Sequence, residues 1–249
     1  MSSCCDTNVQ AQLIALYTTL ADNPDSEFGW SKGKANARQL GYSEAWLDRL
    51  PDAVWESAAA VGNPFKPGEI ASGQTVLDAG CGAGADACVA ALLVGNTGKV
   101  IGIDCTPAMI NKAQRNAQLA ELDNTAFYVM DINYLDITDS TVDVVISNGA
   151  INLSANKEKV FQELYRVLKP GGRLQIADVI RESDVSTDVC TSADPGKESW
   201  ADCVQGTLPV IDLLDIISNA GFTHIDLLEL TGYKTAESTN GALIRALRP

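Results

Sequence analysis

The chain is predicted to be an α/β protein, with a mostly parallel sheet covered by helices on both faces and a helical appendage at its N-terminus. Three observations predict it. From Thr75 onward, short apolar runs alternate with helix-length segments, a pattern that implies parallel strands joined by right-handed crossovers. The run Val76-Leu-Asp-Ala-Gly-Cys-Gly-Ala-Gly-Ala-Asp86 reads as a strand, a tight turn and a helix start, with glycines at 80, 82 and 84. Glycines let the backbone turn sharply and leave room for a ligand against the main chain. A second apolar run, Lys99-Val-Ile-Gly-Ile-Asp104, ends in an acid 26 residues after Asp78, where a carboxylate suits the two hydroxyls of a ribose.

The elements follow in order. Val9, Leu13, Leu16 and Leu20 stand at helical spacing and predict a helix over 7–21. A polar break at 22–26 ends it. Ser43 is the expected N-cap of a short helix that stops near Pro51, and Pro51 opens another. Gly62-Asn-Pro-Phe-Lys-Pro-Gly68 is a loop leading into the core. Strands are placed near 75–79, 99–104, 125–130, 142–147 and 172–179, with helices near 85–95, 107–121 and 156–168. Thr106-Pro107 reads as a cap followed by proline at the first helical position. Residues 183–207 are a polar insertion. A helix over 208–220 and strands over 225–230 and 241–247 complete a seven-stranded sheet with an antiparallel hairpin. The organisation expected is an appendage at 1–72 folded over the cleft, a core at 73–182, and insertion plus closing elements at 183–249.

Composition narrows the function classes. Eighteen basic against 32 acidic residues give a net charge of −14. A surface this acidic repels phosphate backbones, so no nucleic-acid partner is expected. No apolar run reaches the length of a membrane span, and the N-terminus has no secretory pattern, so no membrane partner and a cytoplasmic location are expected. The seven cysteines, at 4, 5, 81, 88, 105, 190 and 203, match no disulfide or zinc framework and are expected to be reduced thiols.

Three further blocks follow the glycine turn and Asp104: Tyr128-Val-Met-Asp131-Ile132, Val144-Val-Ile-Ser-Asn148 and Leu168-Lys-Pro-Gly-Gly-Arg-Leu174. In this order, over residues 73–180, they resemble a Rossmann-like class I S-adenosylmethionine-dependent methyltransferase. The resemblance implies S-adenosylmethionine as cofactor and a small-molecule acceptor. It places Asp78, Gly80, Gly82, Gly84 and Asp86 around the methionine end, and Asp104 on the ribose with Cys105 in the pocket wall. It puts Asp131 on the adenine amino group, Ile132 on the adenine ring and Asn148 beside the sulfonium.

A narrower likeness lies on the acceptor side. Gly62-Asn63-Pro64, Gly102-Ile-Asp-Cys-Thr106, Ser147-Asn148-Gly-Ala-Ile151-Asn152-Leu153-Ser154, Trp200-Ala-Asp-Cys203 and Ala220-Gly221-Phe222 together resemble the arsenite methyltransferase family. That family holds As(III) on three cysteine thiolates, and soft thiolates suit a thiophilic centre. Here the first two positions are Val61 and Gly149, and only Cys203 remains. Cys203 and Asn148 are therefore the catalytic candidates, with Cys190, Cys4 and Cys5 as possible additional thiols. A C- or O-methyltransferase of an organic metabolite and a non-catalytic cofactor- or metalloid-binding protein are the alternatives. The lone histidine, His224, is expected at a strand edge with no catalytic role. Trp30, Trp46, Trp55 and Phe65 either dock the appendage or roof the site.

Overall fold

The computed structural model describes residues 3–181 and 206–249, with side chains from residue 10 onward. Its centre is a seven-stranded sheet in the order β3-β2-β1-β4-β5-β7-β6, built from β1 (Thr75–Ala79), β2 (Lys99–Asp104), β3 (Thr125–Val129), β4 (Val142–Asn148), β5 (Leu168–Arg181), β6 (Thr223–Leu230) and β7 (Thr239–Leu247). The pairs from β3 through β5 are parallel. β7 runs antiparallel between β5 and β6. The chain winds outward from β1 first through β2 and β3, then through β4 and β5. The carboxyl ends of β1 and β4 therefore flank the switch point, where open α/β sheets bind ligands.

Alternation along each central strand sorts the apolar residues to two faces. Val76, Val144 and Ile146 join one core with α5 (Ala85–Val94) and α6 (Pro107–Leu119). Leu77, Val145 and Ile176 join the other with α7 (Lys157–Val167) and α8 (Val210–Asn219). α5 is apolar on nearly every side and is buried almost throughout, as a helix sandwiched between layers must be. α7 starts at Asn156, whose side chain accepts from the Lys159 amide at 3.0 Å, a side-chain cap of the first turn. Arg166 on α7 bonds Glu163 and the carbonyls of Leu135 and Ile137, which fixes the segment after β3.

The N-terminal region comprises α1 (Ser3–Asp22), α2 (Gly33–Gln39), α3 (Glu44–Arg49) and α4 (Asp52–Trp55). α2 is not foreseen by the sequence: Gly33-Lys-Ala-Asn-Ala-Arg-Gln39 shows no apolar period, and its buried side is only Asn36 and Ala37. Two predicted caps differ in mechanism. Ser43 and Thr106 hold the N-cap positions without a side-chain bond to the helix; at Thr106 the amide is instead taken by Asp104 Oδ1 at 2.8 Å. β5 is longer than the predicted 172–179, because Leu168 pairs with Val142 and the strand runs on beside β7 to Arg181. The insertion up to residue 205, with Cys190 and Cys203, lies outside the described residues, as do the side chains of Cys4 and Cys5. Among the described residues no helix is long and apolar enough to cross a membrane.

Phe161 is wholly buried in the core beneath α7. Phe161→Ala is expected to cost about 3–5 kcal/mol of stability, read by urea unfolding. A loss below about 1 kcal/mol would contradict the packing assigned to this helix.

Candidate functional site

The glycine turn after β1 is shaped by three left-handed residues: Gly80 (φ 79°), Gly82 (φ 51°) and Gly84 (φ 82°). A Cβ on Gly80 would stand 2.2 Å from the Ala150 Cβ, so the turns after β1 and β4 can approach this closely only with glycine there. A Cβ on Gly84 would stand 2.9 Å from Ala113 Cβ on α6, so this glycine serves helix packing. Around Gly82 nothing lies within 4 Å, which leaves its face open to a ligand. The turn is anchored to β2: the amides of Gly80 and Cys81 both donate to Ile103 O at 2.9 and 2.8 Å, and the Gly82 amide donates to Asp104 Oδ2 at 3.0 Å.

This turn forms the floor of a cleft of about 650 Å³. Asp78, Asp86, Asp104 and Asp131 line it, and no lysine, arginine or histidine does so among the described residues. Asp104 ends β2 with each oxygen already accepting one backbone N–H. Its carboxylate is thereby held rigidly, and each oxygen keeps capacity for another donor. Burial raises its pKa, against the pull of those amides. Asp131 lies just past β3; its Oδ1 takes the amide and the side chain of Asn133, both at 2.8 Å. Asn133 in turn accepts from Ser154 Oγ. Asp78 is 1% exposed, and its Oδ2 has no hydrogen-bond partner. Burial first, then Asp86 and Asp104, push its pKa well up. A buried carboxyl oxygen without a partner beside an anionic cleft is a place for a donor or cation.

The structure brings Asp78, Gly80, Gly82, Asp86, Asp104, Cys105, Asp131, Ile132 and Asn148 into this one cleft. Gly84 stands behind it. The amide of Asn148 is fully engaged with the protein: Oδ1 accepts from Val61 N at 2.9 Å, and Nδ2 reaches Asp86 Oδ2 at 2.9 Å, Tyr42 Oη at 3.0 Å and Gly62 O at 3.0 Å. Asp86 Oδ1 accepts from Tyr42 Oη at 2.7 Å. Burial raises Asp86 to about 6, opposed by the Tyr42 and Asn148 bonds. Tyr42 is the residue that sequence reading missed. Nothing in its local sequence marks it, because its partners lie 44 and 106 positions away. Asn63 is architectural: it accepts from Phe65 N and donates to Gly41 O.

The N-terminal region supplies one wall. Leu13, Tyr17 and Leu20 of α1 line the cleft with Trp55 and residues 57–60. Ser57 Oγ donates to Leu20 O at 3.0 Å, and Lys112 of α6 donates to Ala21 O at 3.2 Å. Tyr42, Trp46, Trp55 and Phe65 form an edge-to-face aromatic cluster. Trp46, Trp55 and Phe65 thus dock the region onto the core, while Trp55 also faces the cleft. Trp30 stands apart, against Phe28. His224 is exposed and contacts only its neighbour Thr223 among the bonds described.

Val61 and Gly149 are neighbours: a Cβ on Gly149 would lie 3.1 Å from Val61 Cγ1. The two positions that the arsenite methyltransferase resemblance gives to cysteine thus meet in space and carry no thiol. The described thiols offer no substitute. Burial raises Cys88 to about 12 and Cys105 to about 11, and Cys81 well above its ordinary value. Neutral thiols are poor soft ligands. No group of three or more metal-ligating side chains occurs among the described residues.

A model of a methyltransferase domain matches residues 70–225. The chain is similar to an arsenite methyltransferase of Halobacterium salinarum, 39% identical over 193 residues, covering 78% of this chain and 48% of the relative. It is also similar to one of Aquipseudomonas alcaligenes, at 32% over 194 residues, 74% of this chain and 55% of the relative. Its fold is similar to the crystal structure of an arsenic(III) S-adenosylmethionine methyltransferase from Chlamydomonas reinhardtii, with a TM-score of 0.61 and 28% identity over 88% of this chain and 74% of the other. The chain spans about half the length of these curated relatives.

Two buried acids, Asp86 in the cleft and Asp178 on β5, where it accepts from the Asn152 and Val179 amides outside the cleft, imply a pH dependence of stability. Asp86 and Asp178 both stand near pKa 6 in the folded chain because they are buried, against about 4 when unfolded. Between these values the folded state holds more protons, so stability falls as pH rises through the window, by up to about 3 kcal/mol per group. Glu163, held down to about 2 chiefly by Arg166, acts only below this window. The ligand-free protein is expected to melt higher at pH 5 than at pH 7.5, and Asp178→Asn should flatten that difference. A melting temperature that falls steadily on acidification from pH 7.5 would contradict the assignment.

Proposed function

The chain belongs to the methyltransferase-domain family, and we propose that it is an enzyme that transfers the methyl group of S-adenosylmethionine to a small acceptor enclosed beneath its N-terminal region. The observation that carries the reading is the cleft at the β1/β4 switch point, where the glycine turn meets four carboxylates, Asp104 and Asp131 among them, with no lysine, arginine or histidine in the lining among the described residues. These residues fit the cofactor. Gly82 leaves one face of the turn open, and α5 begins at the cleft with Ala85 and Asp86 in its lining, where the positive end of the helix dipole favours a carboxylate. Asp104 would hold the ribose hydroxyls, Asp131 the adenine amino group with Ile132 on the ring, and Asp78 the positive methionine end. When bound, the cofactor supplies an electrophilic methyl on a sulfonium.

The chain's own task is to orient the acceptor and exclude water. Leu13, Tyr17, Leu20, Trp55 and Leu153 form an apolar wall facing the carboxylates, and removing water there strengthens the electrostatic contacts within the cleft. The Val61–Gly149 contact puts an apolar surface where a thiolate site would need two sulfurs. We therefore favour a small organic acceptor. The relatives favour a second reading, arsenic(III), for which Cys203 would need thiols from Cys190 or the Cys4-Cys5 pair. The protein is not proposed to act on nucleic acid.

Two experiments test this. Asp104→Asn keeps the shape but removes the charge and one of the two acceptors that the Gly82 and Thr106 amides use, and is expected to weaken S-adenosylmethionine binding by about 1.5–3 kcal/mol in calorimetric titration, with folding checked by circular dichroism. Unchanged affinity in a folded variant would remove the ribose assignment. Turnover of arsenite with thiol, beside a panel of phenols, measures the acceptor. Organic acceptors are expected to be methylated, and Cys203→Ser is expected to retain that turnover. Arsenite methylation abolished by the same substitution would establish the second reading instead.

A further inference from the structure

We propose that Tyr42 is a positioning residue that holds Asp86 as an ionised group at the carboxyl ends of β1 and β4, so that this end of the cleft prefers the sulfonium form of the cofactor to its neutral thioether product. The inference rests on the cofactor reading above and assigns a role to a residue outside the glycine turn.

The geometry carries it. Each oxygen of Asp86 meets a donor from a different element: Oδ1 the Tyr42 hydroxyl at 2.7 Å, Oδ2 the Asn148 amide at 2.9 Å. The Tyr42 hydrogen has one other acceptor within reach, Gly62 O at 3.3 Å, and the shorter bond to a carboxylate is the stronger one. Asn148 is itself oriented by Val61 N and places its amide on Tyr42 Oη. Tyr42 is 4% exposed, with its ring locked among Trp46, Trp55 and Phe65. Its hydroxyl therefore has a defined position on the cleft wall.

The groups that face Asp86 are of one sign. Asp78 on β1 is an acid that itself neighbours Asp104 and Cys81, Cys88 is a thiol raised by burial, and Tyr42 is a phenol raised well above its ordinary value. Asn148 on β4 is neutral, and no lysine, arginine or histidine lines the cleft among the described residues. Burial opposes ionisation of Asp86, and the bonds from Tyr42 and Asn148 pull the other way, leaving it near 6. Without the hydroxyl the balance moves toward the protonated form at neutral pH. The two forms of the cofactor share their ammonium, carboxylate, ribose and adenine groups and differ in the charge on sulfur. The charge state of Asp86 thus bears on their ratio of affinities more than on either affinity alone.

The test is calorimetric titration of S-adenosylmethionine and S-adenosylhomocysteine from pH 5 to 8 in the wild type, Tyr42→Phe and Asp86→Asn, with folding checked by circular dichroism. Phenylalanine keeps the ring in the aromatic cluster. In the wild type the preference for the sulfonium form should rise about tenfold through pH 6. In Tyr42→Phe the rise should move to higher pH and the preference at pH 7 should drop several-fold; in Asp86→Asn the step should vanish. A merely structural role would weaken both ligands alike at every pH and leave the ratio unchanged, which would overturn the inference. A wild type that binds neither ligand would overturn the cofactor reading together with it.

Discussion

At the switch point the backbone of Gly80 presses so closely on Ala150 that a single methyl group would overlap it. This contact between the turns after β1 and β4 is the constraint on which the site depends. It sets the gap between the two strand ends. It aims the turn so that Gly82 N can reach Asp104 and Asn148 can reach Asp86. A side chain at Gly80 would have to part the strands or tilt the turn, and its φ of 79° already excludes most residues.

The second organising feature is electrostatic. Four aspartates line one cleft, and three of them are raised by burial. An isolated arrangement of this kind is destabilising, since burial disfavours each charge and the neighbours repel. The backbone amides on Asp104 and the phenol and amide on Asp86 offset part of that cost. The rest is left for a cationic ligand to relieve. A site that works this way gives up stability when empty and gains it when filled.

The N-terminal region belongs to the site physically, although it lies before the matched domain. It is held by aromatic packing around Trp55, by the Ser57 and Lys112 bonds to the end of α1, and by Tyr42 inside the charged network. The wall it forms is apolar where the floor is acidic. That contrast suits a reaction in which a small acceptor must approach a cationic centre with water excluded.

The sequence by itself determined the central strands, the glycine turn, the acids at the ends of β2 and after β3, and the closing antiparallel strands. These depend on local patterning: apolar alternation, glycine where φ is positive, proline at a helix start. It also pointed to Val61 and Gly149 as a paired departure, through family spacing. Only the tertiary structure decided that these two residues touch, that Asn148 is a strut with every polar atom engaged, and that Tyr42 completes the Asp86 network. Short, weakly patterned α2 and the unbonded caps at Ser43 and Thr106 were likewise set by context. The physical reason is that a hydrogen bond between residues 44 or 106 positions apart leaves no trace in local periodicity. It exists only because the sheet order brings the ends of β1 and β4 together and the aromatic cluster delivers a hydroxyl between them.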